Sequence, residues 1–306
     1  MSELCREAQV SRAGFYRHWQ VRAPRAEQAE VRDRLQELAL AHRHYGYRRL
    51  TALLKQEGHA INHKRVAHLL RTDNLLAVRR RRYIVTTDAR HTWRIYPNLA
   101  PWVKPDGPNQ LWVADITYLR LREEFAFLAV ILDVWSRRVV GWAVRDQLDT
   151  HLTLEALRQA LGRREVLPGL IHHSDRGVQY ACCDYMAELE KHHILTSMSR
   201  PGSPYDKAYC ESFIGKLKQE QWDGRDYRTV AEVRPDMETM LERVYNEQRL
   251  HSALGYLTPA AFEERFTGAA SPPELMIRQG QARVQAALRA SLRLGLDTDP
   301  APPKTN

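Results

Sequence analysis

Three apolar runs crowd into residues 111–144, and they limit the fold more than any other feature of the chain. "LWVADITYLRL" (Leu111–Leu121), "FAFLAVIL" (Phe125–Leu132) and "VVGWAV" (Val139–Val144) are rich in branched and aromatic residues and read as β-strands. Glu123 and Glu124 break the first run, and "DVWSRR" (Asp133–Arg138) turns the chain after the second. Connections this short join antiparallel strands, so the three form a meander. The second run is almost wholly apolar and is expected inside the sheet. Asp115 is the anomaly, an ionised group inside an apolar strand.

The pattern then changes period. A helix is expected over about Thr150–Leu161, and "GLIHHSD" (Gly169–Asp175) reads as a short buried strand ending in an acid. "YACCDYMAELEKHH" (Tyr180–His193) reads as a helix and "ILTSMS" (Ile194–Ser199) as a fifth strand. Another helix starts around Lys207 or Ala208 and carries Glu211 in its first turns. Three antiparallel strands, then helix, strand, helix, strand, helix make an α/β chain with a mixed five-stranded sheet. That order resembles the ribonuclease H-like nucleases.

Three carboxylates in this region invite one explanation. Burying Asp115 without a partner is costly, and a metal ion is a natural partner. Asp175 stands at a strand's C-terminal end just before Gly177, where chain reversal leaves a side chain accessible. Glu211 follows Asp175 with 35 residues between them. Taken alone, Glu211 is an ordinary acid near a helix N-terminus, favoured by the macrodipole. Together, a strand centre, a strand end and a helix start can converge, and a few hard oxygen ligands suit Mg²⁺ while leaving room for water and phosphate oxygens. Asp133 is a rival acid, read as a turn and salt-bridge residue beside Ser136 and Arg137. His172 and His173 are given a strand-end role, and Tyr205 and Asp206 shape the loop before Glu211.

Charge separates the rest of the chain. Its 46 Lys and Arg against 37 Asp and Glu leave a net +9. Residues 1–104 carry 21 basic and 9 acidic side chains, whereas residues 105–306 carry 25 and 28. A positive field confined to the N-terminal third suits a polyanion, most simply nucleic acid. Two helix-turn-helix patterns lie there. In "LCREAQVSRAGFYRHW" (Leu4–Trp19), Ser11 is placed to cap a helix carrying Arg12, Tyr16 and Arg17. In the second, "YGYRRLTALLKQEG" (Tyr45–Gly58) precedes "INHKRVAHLLRTDNL" (Ile61–Leu75), with Val66, Leu69 and Leu70 inward and Lys64, Arg65, His68 and Arg71 outward. The run Arg79, Arg80, Arg81, Arg82 follows. A helical bundle with a charged exterior satisfies the same pattern. His59, His63 and His68 lack nearby cysteines, which makes a zinc site there weak.

The organisation read from these patterns is a basic helix-turn-helix region over 1–95, a linker with four prolines over 96–110, an α/β core with a C-terminal extension over 111–266, and a helical then disordered tail over 267–306. No run of about 18 apolar residues indicates a membrane span, and the N-terminus does not resemble a signal peptide. Four cysteines without a CxxC pair fit a reducing cytoplasm.

"LWVADITY", "DVWSRRVVGW", "HSDRGVQY", "GSPYDKAYCESFIGKLKQE" and "YNEQRLHSALGYLTPAAF" closely resemble the transposases of the third insertion-sequence family, within the retroviral-integrase superfamily. The resemblance spans roughly Leu35–Phe262 and includes the Asp, Asp, 35 residues, Glu pattern. It implies that Asp115, Asp175 and Glu211 form the metal-binding triad, with two Mg²⁺ ions (or Mn²⁺) between the attacking and leaving oxygens of an in-line phosphoryl transfer. It implies cutting at element ends followed by 3′-hydroxyl strand transfer, with no Ser, Tyr or Cys nucleophile. A same-fold nuclease that cuts without joining, or a DNA-binding regulator with an inactive core, stands as the alternative. The implied partners are terminal inverted repeats, target DNA, further copies of the chain on DNA, and an upstream-frame protein joined by frameshifting. The implied location is the bacterial cytoplasm, at the nucleoid. Lys218, seven residues past Glu211 and on the same helical face, is placed to touch DNA, with Lys216 on another face. Lys207 stands where the family usually has Asn, and either substitutes for it or reaches DNA. His251 matches a family motif without a chemical role.

Overall fold

The computed structural model describes residues 2–7, 11, 26–76, 95–199, 208–218 and 226–267, with helical backbone also at 282, 285, 286 and 289. The second helix of the first helix-turn-helix pattern, Arg79–Arg82, Tyr205, Asp206, Lys207 and most of the tail lie outside the described residues. Contacts divide the chain into units of residues 1–79 and 80–306.

The first unit is helical: α1 (Ser2–Glu7), α2 (Ala26–Ala41), α3 (Tyr47–Gln56) and α4 (His63–Thr72). Leu50 and Leu54 of α3 and Val66 and Leu70 of α4 are almost wholly buried, together with Leu35 of α2. Leu69 is only partly buried. Gly58, at φ +92°, ends the α3 turn in a conformation that L-residues rarely adopt. Asn62 caps α4 by accepting the Lys64 N–H at 2.8 Å. The Asp73 carboxylate at the end of α4 accepts from Arg32 Nε and Gln36 Nε2, both at 3.0 Å, and so fastens α2 to it.

The second unit is built on a five-stranded sheet: β1 (Leu111–Arg120), β2 (Phe125–Asp133), β3 (Val139–Arg145), β4 (Ile171–Ser174) and β5 (Leu195–Met198). The order across the sheet is β3-β2-β1-β4-β5. β1–β2 and β2–β3 are antiparallel, while β1–β4 and β4–β5 are parallel. This is the ribonuclease H-like arrangement, with β1 central.

Alternation along β1 assigns the two faces. Leu111, Val113 and Leu119 join a core with Cys210, Phe213 and Leu217 and with Met237, Leu241 and Tyr245. Trp112 and Ala114 face the other core, made by α5 (Thr150–Arg163), α6 (Val178–Ala181) and α7 (Cys183–Lys191). The helix expected over Tyr180–His193 is thus two helices. Tyr180 and Ala181 N–H groups bond back to the Gly177 carbonyl, and Cys182 then turns extended at ψ 153°. The Cys182 carbonyl accepts from Met186 and starts α7. The chain closes with α8 (Ala208–Leu217), α9 (Val230–Glu238), a π-helical continuation (Thr239–Gln248) and α10 (Pro259–Thr267).

Two further segments lie against the sheet. The proline-rich stretch is docked: Leu99 and Val103 are buried, and the Leu99 N–H donates to Ser197 Oγ at 2.8 Å. At the far edge, buried Asn246 accepts the Val139 N–H at 2.9 Å and donates to its carbonyl at 3.0 Å, as a neighbouring strand would. Glu263 of α10 is buried between Arg164 (2.6 Å) and Arg138 (2.8 Å). Asp133 is 1% exposed and accepts the N–H groups of Asn109, Trp135 and Ser136 at 2.6, 2.9 and 3.1 Å. It anchors the turn through backbone amides. Burial raises its carboxyl above the usual range, against the pull of those amides.

Candidate active site

The parallel register builds the site. Leu111 pairs with Ile171, Trp112 with His172 and Val113 with His173. Asp115 comes two residues further along β1, and Asp175 follows directly after the last residue of β4. Side chains two apart share a face, so Asp115 lies on the face of Leu111 and Val113, which α8 covers. Asp115 is partly exposed and pairs across β1–β2 with Val130; Asp175 is 8% exposed.

The turn after β4 holds Asp175. Its Oδ1 accepts the Gly177 N–H at 2.8 Å. A Cβ on Gly177 would stand 2.9 Å from that same oxygen, so the absence of a side chain keeps the carboxylate in place. Ser199 N–H continues the β4–β5 ladder to the Ser174 carbonyl at 2.9 Å, and Arg176 Nε donates to the Ser199 carbonyl at 3.0 Å. Thr153 Oγ donates to the Gln179 carbonyl at 3.1 Å, tying α6 to α5.

On α8, Cys210, Phe213 and Leu217 form the buried stripe. Position 211 lies beside that stripe, and its side chain lies outside the described residues. Lys218 returns to the line of position 211 after about two turns. Its ammonium nitrogen sits 4.0 Å from the Tyr118 ring centroid. Burial lowers the Lys218 pKa, and the charge of Asp115 opposes that shift.

Beneath the carboxylates is a buried aromatic cluster that the sequence did not suggest. Tyr185 Oη lies 2.9 Å from His172 Nε2. His172 is fully buried, and burial first, with His173 second, pushes its imidazole down to about 3. His173 Nδ1 lies 2.9 Å from Ser197 Oγ, which already accepts from the Leu99 backbone. Neither histidine faces solvent, so the strand-end role is the structural one. Tyr180 packs edge-on to Tyr185 at 5.4 Å. Its phenol is held well above the ordinary tyrosine range by burial, then by Tyr185, Asp175, Asp115 and Cys210.

Carboxylates on β1 and directly after the neighbouring parallel strand β4 are a hard-oxygen donor set, which fits a divalent cation. Among the described residues no three His, Cys, Asp or Glu side chains gather to hold a metal. Lys64, Arg65 and Arg71 are exposed on α4. His251 is buried, bridges to Leu257 and packs edge-on to Tyr245 at 5.1 Å, a structural placement. Among the described residues no helix is long and apolar enough to cross a membrane.

Family models for an integrase core domain match residues 105–204 and 192–259, and one for an HTH-like domain matches residues 25–83. The uncharacterised 31 kDa protein of insertion element IS600 from Shigella sonnei is 37% identical over 268 residues, covering 86% of this chain and 98% of that protein. Transposase InsF for insertion sequence IS3A from Escherichia coli K12 is 36% identical over 268 residues, covering 86% and 93%. Among solved structures, a simian T-cell lymphotropic virus intasome in complex with PP2A regulatory subunit B56 gamma aligns with TM-score 0.45 at 16% identity, over 76% of each chain. The HTLV-2 integrase catalytic core domain in complex with magnesium aligns with TM-score 0.40 at 15% identity, over 52% of this chain and 99% of that one. With its sheet order, its HTH-like and integrase-core matches and these relatives along most of its length, the chain belongs to the transposases of the third insertion-sequence family.

Proposed function

We propose that this transposase cuts DNA at its element ends and joins the freed 3′-hydroxyl to a second phosphodiester, with Asp115, Asp175 and Glu211 holding two divalent ions, Mg²⁺ or Mn²⁺. The observation that carries this reading is the parallel pairing of β1, which bears Asp115, with β4, which Asp175 directly follows, with α8 packed on the Leu111 and Val113 face of β1. Ions bound there supply Lewis-acid polarisation of phosphate oxygens and lower the pKa of the attacking hydroxyl. The chain's own part is positioning. Asp115 offers a partly exposed carboxylate from the middle of a rigid strand. Asp175 is oriented by the Gly177 amide. Lys218, held by Tyr118, presents a cation near Asp115 for a phosphate of the DNA backbone. In cutting a water oxygen, and in joining the freed 3′-hydroxyl oxygen, bonds to phosphorus as the opposite P–O bond breaks and its oxygen leaves as a protonated hydroxyl, so no protein nucleophile is consumed.

Residues 1–95 read the element ends in this proposal, with Lys64, Arg65 and Arg71 toward phosphates; Arg79, Arg80, Arg81, Arg82 and Lys207 are assigned to DNA on their charge alone. Residues 96–110 link that region to the core at 111–266, with 267–306 as a tail. Pairing two DNA ends calls for at least two copies on DNA, and an upstream-frame protein supplies further DNA-binding parts. The proposed location is the bacterial cytoplasm, on the nucleoid. A strand-transfer assay with pre-cleaved element ends tests the reading. Joined product is expected from the wild type, and Asp115→Asn should lower both cutting and joining by at least about a hundredfold. Cutting without joining would make the protein a nuclease, and undiminished Asp115→Asn activity would remove the site.

A further inference from the structure

Two buried tyrosines lie side by side beneath the carboxylates, and only one has its hydroxyl satisfied. Tyr185 Oη meets His172 Nε2 at 2.9 Å. Tyr180 is 2% exposed, and its Oη has no hydrogen-bond partner among the described residues. An unpaired buried hydroxyl is destabilising, because it gives up water and gains nothing. Phenylalanine would keep the ring contacts to Tyr185 (5.4 Å) and His172 (6.4 Å) and avoid that loss. The hydroxyl therefore calls for a partner, and the chemistry around it is acidic. Asp175 and Asp115 both lie close enough to oppose ionisation of the phenol. Tyr180 also sits on the first turn of α6, which Gly177 anchors directly to the Asp175 turn.

We propose that Tyr180 is a positioning residue, whose hydroxyl donates to an Asp175 carboxylate oxygen as the carboxylates take up divalent ions. Carboxylates that bind metals are commonly oriented by such outer hydrogen bonds, whose loss weakens ion affinity 10–100-fold. The hydroxyl is too enclosed to meet DNA, so its effect is on the carboxylate. The inference rests on the assignment of Asp115 and Asp175 as ion ligands.

The test uses the full chain and Mn²⁺ alone, with free ion followed by electron paramagnetic resonance and the thermal midpoint measured with and without the ion. Tyr180→Phe should bind Mn²⁺ about 10–100-fold more weakly, with a midpoint in chelator equal to or above wild type. Tyr185→Phe breaks a satisfied bond, and should lower the midpoint in chelator while leaving affinity unchanged. Tyr180→Phe affinity within twofold of wild type would overturn the inference, as would equal weakening by Tyr185→Phe, which would mark a packing effect. Asp115→Asn separates the two levels. If it binds Mn²⁺ as wild type does, the ligand assignment fails and the inference with it; if it loses the ion while Tyr180→Phe does not, only the Tyr180 role fails.

Discussion

Acid should destabilise this fold through one histidine, and the size of the effect follows from where His172 sits. The ring is 0% exposed on β4, with its Nε2 at 2.9 Å from Tyr185 Oη. Burial, and then the proximity of His173, lower its folded pKa to about 3. In the unfolded chain the same ring titrates near ~6.5. Below that value the unfolded state takes up a proton that the folded state refuses. Stability is therefore full above about pH 6.5 and falls as the pH drops toward about 3, the folded value. At pH 5.0 the unfolded state has gained about 1.5 units at ~1.4 kcal/mol each, close to 2 kcal/mol. Urea unfolding of wild type and His172→Gln at pH 7.5 and 5.0 measures it. Glutamine keeps a planar polar group for Tyr185, so the difference between the two proteins reads the His172 ring together with its coupling to His173. Wild type should lose about 2 kcal/mol more than the variant between the two pH values. Equal losses would refute the reasoning and show that water or a partner stabilises the charged ring.

Two other perturbations follow from the geometry. Gly141→Ala would set a Cβ 2.2 Å from the Ala156 carbonyl oxygen and 2.8 Å from Ala160 Cβ. Backbone atoms of α5 cannot yield as a side chain does, so a loss at or above the upper end of about 1–3 kcal/mol is expected in urea unfolding, and an unchanged midpoint would contradict it. Lys218→Ala should weaken DNA binding evenly across sequences and reduce the slope of log affinity against log salt by about 1, read by fluorescence anisotropy over a salt series. An unchanged slope would take Lys218 off the phosphate backbone and leave its contact with Tyr118 as its role.

The strands of the second unit were legible because their signal is local. Leu111–Arg120, Phe125–Asp133 and Val139–Arg145 match the expected runs to within a residue. Helix breaks were less legible: nothing in Cys182–Cys183 announces the extended residue that separates α6 from α7, since what decides it is the Gly177 carbonyl and the Thr153 hydroxyl. The docking of Leu99 and Val103 was likewise hidden, because prolines report a lack of regular hydrogen bonds and say nothing about burial.

For the candidate site, linear order already marks the kind of chain and the acids worth considering. An Asp inside an apolar strand, an Asp at a strand end and the 35-residue spacing to Glu211 are all features of linear order. The parallel pairing of the Asp115 strand with the strand that Asp175 follows came from the tertiary structure alone, because strand register is a property of pairing between segments some 60 residues apart. Only the tertiary structure separated Asp133 from those two acids, by filling that carboxylate with three backbone amides. It alone set Tyr180 beneath the carboxylates with its hydroxyl unmatched, since whether a buried polar atom has a partner depends on what other segments bring to it.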